Sequence, residues 1–269
     1  MVVFGTRMNG DRRRRSVPAG EGAVWKAEWM ESGDDPVLSP TASLIEQPPD
    51  MTLPAHFHRN NQFQLFVDGS GRIGRNPIAG LTVHYAGAYT GYGPLVAGPE
   101  GLKYFTIRPV CESGLVLASD RSQMLHGPKR HMQSAQVSIK SVSELRTLAQ
   151  IIEKDLIPAE PDGLAAKLVS VPPNESFTGA HVPNSQGQFI FVMSGTVRCD
   201  GAELQEWESL FVSSDEQAPT LTAGTDGAEF VALSAPFKDV IYQQADDVRS
   251  DRTSGRGAVP KALRAGGAT

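Results

Sequence analysis

The sequence predicts an all-β chain built from two copies of one small antiparallel barrel. Apolar and polar residues alternate in short runs, and 27 glycines and 19 prolines punctuate those runs at turn positions. Patterns typical of long helices are scarce. Features of the first half recur in the same order in the second half. With 269 residues and 40% hydrophobic content, the chain is long enough to bury a core in each copy.

The repeat is visible as matching segments with one- or two-residue differences in the loops. The motif LIEQPPD at residues 44–50 is echoed by LVSVPPN at residues 168–174, and Ala55-His56 is echoed by Ala180-His181. The spacing from Gln62-Phe63 to Gly69 equals the spacing from Gln188-Phe189 to Gly195. Such ordered matches predict a duplicated β-fold.

The repeat also sets the predicted domain organisation. We predict an N-terminal arm over residues 1–36, a first barrel over 37–112, a linker over 113–165, a second barrel over 166–245 and a flexible tail over 246–269. Four arginines at 12–15 are expected to be solvated within the arm. Ser141 and Glu144 have the spacing of a capping box, and the apolar residues that follow predict a short connecting helix at about 143–156.

Composition excludes several classes of protein. The formal charge of −5 argues against nucleic acid as a partner, and no apolar run is long enough to cross a bilayer. The N-terminus lacks the order of a secretory signal, since its apolar residues precede its basic ones. Cys111 and Cys199 stand far apart and outside any metal or redox spacing. We therefore expect a cytoplasmic protein with a small-molecule substrate and with no nucleic-acid or membrane partner.

The most informative stretch is PAHFHRNNQFQLFVDG at residues 54–69. Side chains at alternate positions of a strand point to the same side, so His56 and His58 are expected to lie together. By the same alternation, Gln62, Gln64 and Phe66 share one face of the next strand, and residues 63, 65 and 67 share the other. Two imidazoles beside a third polar group predict a divalent metal site. The alternative is a strand whose histidines are exposed or hydrogen-bonded inside.

This spacing resembles the first motif of the cupin superfamily: HxH, three residues, an acid or amide, six residues and glycine. Gln62 stands where the family has glutamate. The segment Gly80–Pro94 resembles the second motif, but Tyr92 or Gly91 stands where the last histidine belongs. The resemblance implies a bicupin, with tandem jelly-roll barrels. In that family, the two histidines and the glutamate of the first motif, with the histidine of the second, hold one metal ion.

The second copy departs further from the cupin pattern. His181 is retained, Gln188 again replaces glutamate, and Pro219 or Thr220 stands where the closing histidine belongs. One imidazole and one amide make a poor site for a divalent ion. We therefore expect the second barrel to be structural.

His84 is the candidate that would restore the ligand set of the first barrel. Alternation could aim it inward, and with His56 and His58 it would form a neutral three-histidine set for Fe, Ni, Mn or Zn. Alternatively, His84 lies outward on the barrel wall. Gln62 is a candidate ligand, direct or through water. Tyr92 would place a phenol near the ion as hydrogen-bond donor or general acid, and Gln64 is a further candidate for the catalytic pocket.

Two functions follow from the resemblance. The first is a metal-dependent enzyme acting on a small organic acid, diketone or phenolic compound, with dioxygenase chemistry favoured over lyase or isomerase chemistry. The second is a non-catalytic cupin that binds a small molecule or serves assembly. The lost glutamate and the lost fourth histidine support the second. The resemblance also implies a homodimer, because exposed edges of cupin-like barrels commonly pair.

Overall fold

A computed structural model of the protein describes residues 1–179 and 184–244. The predicted tail over 246–269 and the candidate His181 lie outside these residues. The first half of the chain contains β1 (Val2–Gly5), α1 (Arg7–Arg12), β2 (Arg15–Ala19), β3 (Gly22–Glu31), β4 (Thr41–Gln47), β5 (Thr52–Leu53), β6 (His56–Phe57), β7 (Gln62–Ile73), β8 (Asn76–Ala79), β9 (Thr82–Ala86), β10 (Leu95–Arg108), β11 (Val116–Leu117), a 3₁₀ turn (Arg121–Gln123) and β12 (His131–Gln133).

The second half begins with a one-turn helix and is otherwise built of strands. It contains α2 (Val142–Arg146), β13 (Ile152–Ile157), β14 (Ala165–Val171), β15 (Ser176–Thr178), β16 (Ser185–Cys199), β17 (Ala202–Leu204), β18 (Ser209–Ser213) and β19 (Thr220–Pro236). The prediction of an all-β fold is confirmed. Over the described residues, no helix has the length and apolar character that a membrane crossing requires.

Two large antiparallel sheets, which we call the N-terminal and C-terminal barrels, make up most of the fold, and β6 pairs with β11 in a separate two-stranded sheet. The N-terminal barrel has the strand order β12-β9-β7-β10-β4-β3-β2, and the C-terminal barrel has the order β1-β18-β16-β19-β14-β13. The outermost strands of either sheet do not pair with each other in the described part of the chain. Neither jelly-roll barrel is therefore closed by strand pairing over these residues.

The internal repeat extends to the backbone conformation. Asp50 and Asn174, at equivalent positions, both have left-handed φ angles, of 57° and 60°. Gly69 and Gly195 also match, with φ angles of 80° and 72°. A Cβ atom at either glycine would lie 2.2 or 2.1 Å from a carbonyl oxygen of the neighbouring strand, so only glycine fits. The two sheets therefore share their turns and bulges as well as their strand pairing.

A single apolar core lies between the two barrels. Phe105 of the N-terminal barrel packs edge-on against Trp29, with ring centroids 5.3 Å apart, and against Phe191 of the C-terminal barrel at 5.1 Å. Phe63 and Leu65 also belong to this core, whereas Phe66 packs inside the N-terminal barrel. The alternation predicted for this strand is thereby observed, and it leaves the interior face of β7 for the polar residues.

The prediction of a separate N-terminal arm is wrong, although the four arginines at 12–15 are exposed as expected. Strand β1 pairs with β18 of the C-terminal barrel, while β2 and β3 extend the N-terminal barrel beside β4. The arginine run is also engaged, since Arg14 pairs with Glu46 and Arg15 with Glu28, each at 2.7 Å. Local composition carries no signal of the β1–β18 pairing, because those two strands lie far apart in the chain. The β2–β3 hairpin, in contrast, is local.

The predicted helix over 143–156 is shorter than expected. The capping box is present, with the Ser141 backbone N–H donating to Glu144 at 2.8 Å, but α2 ends at Arg146. Residues 152–157 form β13, which pairs with β14. The backbone N–H and C=O groups of this segment form hydrogen bonds with β14, so that the segment becomes an edge strand of the C-terminal barrel. This strand pairing outweighs the helical spacing of the apolar residues.

Candidate functional site

The histidine pair lies inside the N-terminal barrel. His56 is in β6, and its backbone exchanges hydrogen bonds with Tyr92 at 3.1 and 3.0 Å. Both His56 and His58 are buried, with ring centroids 5.4 Å apart. Phe57, between them, packs in a separate apolar cluster with Tyr89. The HxH segment therefore directs both imidazoles to one side, as the alternation predicts.

Strands β7 and β9 supply the other candidates. Gln64 lies directly opposite His84 in the strand register, and both side chains are 1% exposed. Gln62 lies two residues earlier on the same face and is equally buried. His84 therefore points inward rather than outward on the wall.

Each of the three histidines has its Nδ1 beside an oxygen: a carbonyl for His56, a carboxylate for His58, whose Nδ1 also lies 3.3 Å from Arg108 Nη2, and for His84 the amide of Gln64 with its oxygen turned to the ring. A carbonyl or carboxylate oxygen cannot donate, so Nδ1 carries the proton and Nε2 is the basic nitrogen. The Nδ1 bonds run from His56 to Pro54 O at 2.7 Å, from His84 to Gln64 Oε1 at 2.9 Å and from His58 to the carboxylate of Glu112.

Tyr92 lies between these imidazoles. Its ring centroid is 4.6 Å from that of His56 and 4.9 Å from that of His84. Its hydroxyl lies 3.0 Å from His56 Nε2 and accepts a 2.7 Å hydrogen bond from Gln62 Nε2. Nε2 of His84 is buried without a hydrogen-bond partner. Tyr92 thus occupies the part of the site where the cupin pattern places its last histidine.

Two charged residues of the site were missed by the sequence reasoning. Arg108 donates from Nη2 to Gln62 Oε1, and its Nε lies 3.2 Å from Glu112 Oε1. Glu112 also accepts from the backbone N–H groups of Arg59 at 3.0 Å and Asn60 at 3.3 Å. Strand alternation after Tyr104 could have placed Arg108 inside. Glu112 follows the end of β10 and carries no such signal.

Burial sets the protonation states of the site. Desolvation lowers the pKa of His56 to about 4 and that of His84 to about 3, and it also lowers the pKa of His58. Burial alone would raise the pKa of Glu112, but His58, Arg108 and the donated hydrogen bonds outweigh it and hold that pKa at about 2. Burial raises the pKa of Tyr92 above its ordinary value. At neutral pH the site therefore holds neutral imidazoles, a neutral phenol and one buried ion pair.

The donor chemistry fits a divalent ion, although the side chains are not gathered around one. Metal-binding histidines typically donate one ring N–H to an oxygen and present the other nitrogen to the ion, which is the arrangement of His56, His58 and His84. Within residues 1–179 and 184–244, no group of three or more His, Cys, Asp or Glu side chains is arranged so that it could hold a metal. Tyr92 engages His56 Nε2, and Arg108 engages the oxygen of Gln62.

The equivalent region of the C-terminal barrel is different. Gln188, the counterpart of Gln62, donates to Ser234 at 3.3 Å. The interior cluster of this barrel is apolar and includes Val169, Ile190 and Val192. A structural role for the second barrel stays a prediction, since His181 lies outside the described residues.

Comparisons with known proteins agree on the fold. No protein-family model and no curated protein matches this sequence. Among solved structures, a candidate dioxygenase from Nostoc punctiforme is 14% identical with a TM-score of 0.56, and the match covers 89% of this chain and 80% of that one. Escherichia coli pirin YhhW in complex with nickel(II) is 13% identical with a TM-score of 0.54, covering 88% and 99%.

A variant of Bacillus subtilis oxalate decarboxylase OxdC is also similar, at 12% identity and a TM-score of 0.56, covering 88% of this chain and 78% of that one. All three are cupin-superfamily proteins, and the likeness shows that this chain has the cupin fold. The doubled arrangement is that of a bicupin. At these identities the similarity establishes the fold and leaves the reaction to be argued from the site.

The lowered histidine pKa values predict that the metal-free protein loses stability between pH 6.5 and about 4. Unfolded histidine, with its ordinary pKa of 6.5, takes up a proton in this range, whereas folded His56 and His84 do not. The unfolded state then binds more protons, so the free energy of unfolding falls by about 1.4 kcal/mol per pH unit for each such histidine. Protonation of Glu112 adds to this loss of stability only below pH 4.5, the ordinary pKa of a glutamate, because its pKa in the folded protein is lowered.

Urea titrations at pH 7.5 and 5.5, with a chelator present, measure this effect. We expect His84→Asn to reduce the pH dependence and His126→Asn, which alters an exposed histidine, to leave it unchanged. An equal pH dependence in His84→Asn and the wild type would contradict the assignment of a buried neutral imidazole.

Proposed function

We propose that the N-terminal barrel is the divalent metal centre of an enzyme that acts on a small organic substrate. The observation that carries this proposal is the shared setting of His56, His58 and His84, each with its Nδ1 beside an oxygen, which leaves Nε2 as the basic nitrogen. The similar pirin structure, which contains nickel(II), supports the same interpretation.

His56, His58 and His84 would hold the ion through Nε2, whereas the Gln62 oxygen is already engaged by Arg108. This set carries no negative charge, so Fe, Ni, Mn and Zn are all compatible with it. A bound ion would act as a Lewis acid and would leave positions for a chelating substrate.

The other side chains would position the substrate and hold protons. Tyr92 stays protonated at neutral pH because burial raises its pKa, so its hydroxyl can donate a hydrogen bond to a substrate oxygen. Gln64 fixes the ring of His84 through Nδ1. We favour oxygen-dependent cleavage of a 1,3-dicarbonyl or catechol, with lyase or isomerase chemistry on the same groups as the alternative.

A second candidate function is a non-catalytic cupin that binds a small molecule without a tightly held ion. The observation favouring it is that Tyr92 and Arg108 already engage His56 Nε2 and the Gln62 oxygen. In that case Tyr92 and Gln62 would contact the bound molecule directly.

Metal analysis of the purified protein tests the proposal. We expect close to one divalent ion per chain, lost in His56→Ala and in His58→Ala and retained in His126→Ala, which removes an exposed histidine. Uptake of O₂ on adding 1,3-dicarbonyls or catechols would then identify the chemistry. Substoichiometric metal that is unaffected by the His56 and His58 variants would favour the binding protein instead.

Two further expectations belong to this proposal. Both cysteines are free, with Cys199 buried, which supports a reducing, cytoplasmic setting. We also propose a homodimer formed through exposed sheet edges. Sedimentation velocity at micromolar concentration distinguishes this dimer from a monomer.

A further inference from the structure

The orientation of the Gln62 amide follows from its partner. A guanidinium group has only donors, so the amide atom facing Arg108 must be the oxygen. Arg108 Nη2 accordingly donates to Gln62 Oε1. The amide nitrogen is left on the other side, 2.7 Å from the hydroxyl oxygen of Tyr92. Gln62 therefore presents an N–H donor to the centre of the site.

The direction of the next hydrogen bonds is fixed in the same way. The Tyr92 oxygen accepts from Gln62, so its own proton is free for the basic Nε2 of His56, 3.0 Å away. Nδ1 of His56 carries a proton, since it faces the carbonyl of Pro54 at 2.7 Å. A one-way chain of donors thus runs from Arg108 through Gln62 and Tyr92 to His56.

Glu112 fixes the start of this chain. Its carboxylate lies 3.2 Å from Arg108 Nε and is itself held by the backbone N–H groups of residues 59 and 60. All of these groups are buried, so the charged pair is retained in place by the fold rather than by solvent. The guanidinium is thereby held between Glu112 and Gln62, with Nη2 also 3.3 Å from His58 Nδ1.

We propose that Arg108 is a positioning residue that makes Gln62 a hydrogen-bond donor, so that residue 62 is not a metal ligand and Tyr92 directs its proton at His56 Nε2. This deepens the proposed function, and its part concerning the ion rests on that function. It departs from the cupin pattern, in which residue 62 would be a carboxylate ligand. Loading the site requires Tyr92 to release His56 Nε2, so the native site binds a divalent ion more weakly than one with glutamate at 62.

The Gln62→Glu variant tests this consequence. A carboxylate at 62 cannot donate to Tyr92, so the phenol proton turns to residue 62 and His56 Nε2 becomes free. We expect the dissociation constant for Ni(II), measured by competition titration, to fall by about tenfold or more. Gln188→Glu, at the equivalent position of the C-terminal barrel, is the matched control and should leave it unchanged. Equal or weaker Ni(II) binding by Gln62→Glu would overturn the proposal.

Nuclear magnetic resonance of the metal-free, ¹⁵N-labelled wild type provides a test independent of metal binding. We expect the side-chain NH₂ group of Gln62 to show contacts with the Tyr92 ring and slow exchange with solvent, and both should be lost in Arg108→Met. An NH₂ group without contact to Tyr92, or one unchanged in Arg108→Met, would overturn the proposal. If the protein binds no metal yet these contacts are present, the metal centre fails and the role of Arg108 stands.

Discussion

Replacing Glu112 by alanine is expected to lower the free energy of unfolding by about 3–5 kcal/mol. The carboxylate balances the buried guanidinium of Arg108 and accepts from His58 Nδ1 and two backbone N–H groups. Its removal leaves a charge and several donors without partners in the interior. Urea unfolding at pH 7.5, followed by circular dichroism, measures the loss.

The matched control is Asp226→Ala, which removes the exposed carboxylate paired with Arg146 at 2.8 Å. Exposed pairs contribute less than about 1 kcal/mol, so this variant should unfold close to the wild type. A Glu112→Ala variant within about 1 kcal/mol of the wild type would show that Arg108 finds another partner or water, and the account of the ion pair would be wrong.

Replacing Phe105 by alanine is expected to cost about 3–5 kcal/mol and to destabilise both barrels together. The ring contacts Trp29 and Phe191 in the core between the sheets, and Trp207 lies further off at 6.4 Å. Truncation leaves a cavity that residues from both halves line, so neither half can relax alone. We expect calorimetry to show one unfolding transition, shifted to lower temperature.

Phe237→Ala is the control for this prediction, because that ring is 53% exposed and its loss opens no cavity. Two separate transitions in Phe105→Ala, with only the first shifted, would mean that the barrels unfold independently. The shared core would then be an interface of two domains rather than the core of one.

Much of the site's geometry was available from strand alternation. The period of two places His56 and His58 on one side and separates Gln62 and Gln64 from Phe63, because each pattern is local to a single strand. Tyr92 was predictable through its position in the second cupin motif. Its contact with His56 forms across a β-bridge between two segments that are distant in the sequence. The first and second cupin motifs nevertheless place both residues in one site.

The remainder depends on partners far apart in the chain. Glu112 and its partner His58 are 54 residues apart in the sequence, and β1 pairs with β18 of the second half of the chain. The segment at 152–157 has helical spacing, yet pairing with β14 decides its conformation. Neither propensity nor periodicity contains that information, since both describe only neighbouring residues. The orientation of the Gln62 amide likewise needed Arg108 to be placed first.

Anomalous X-ray scattering from crystals of the purified protein locates a bound ion and identifies its ligands. We expect a single anomalous peak inside the N-terminal barrel, bonded to Nε2 of His56 and His58, with an absorption edge that names the element. A barrel interior without such a peak, in which the Tyr92 hydroxyl keeps its hydrogen bond to His56, would contradict the metal centre.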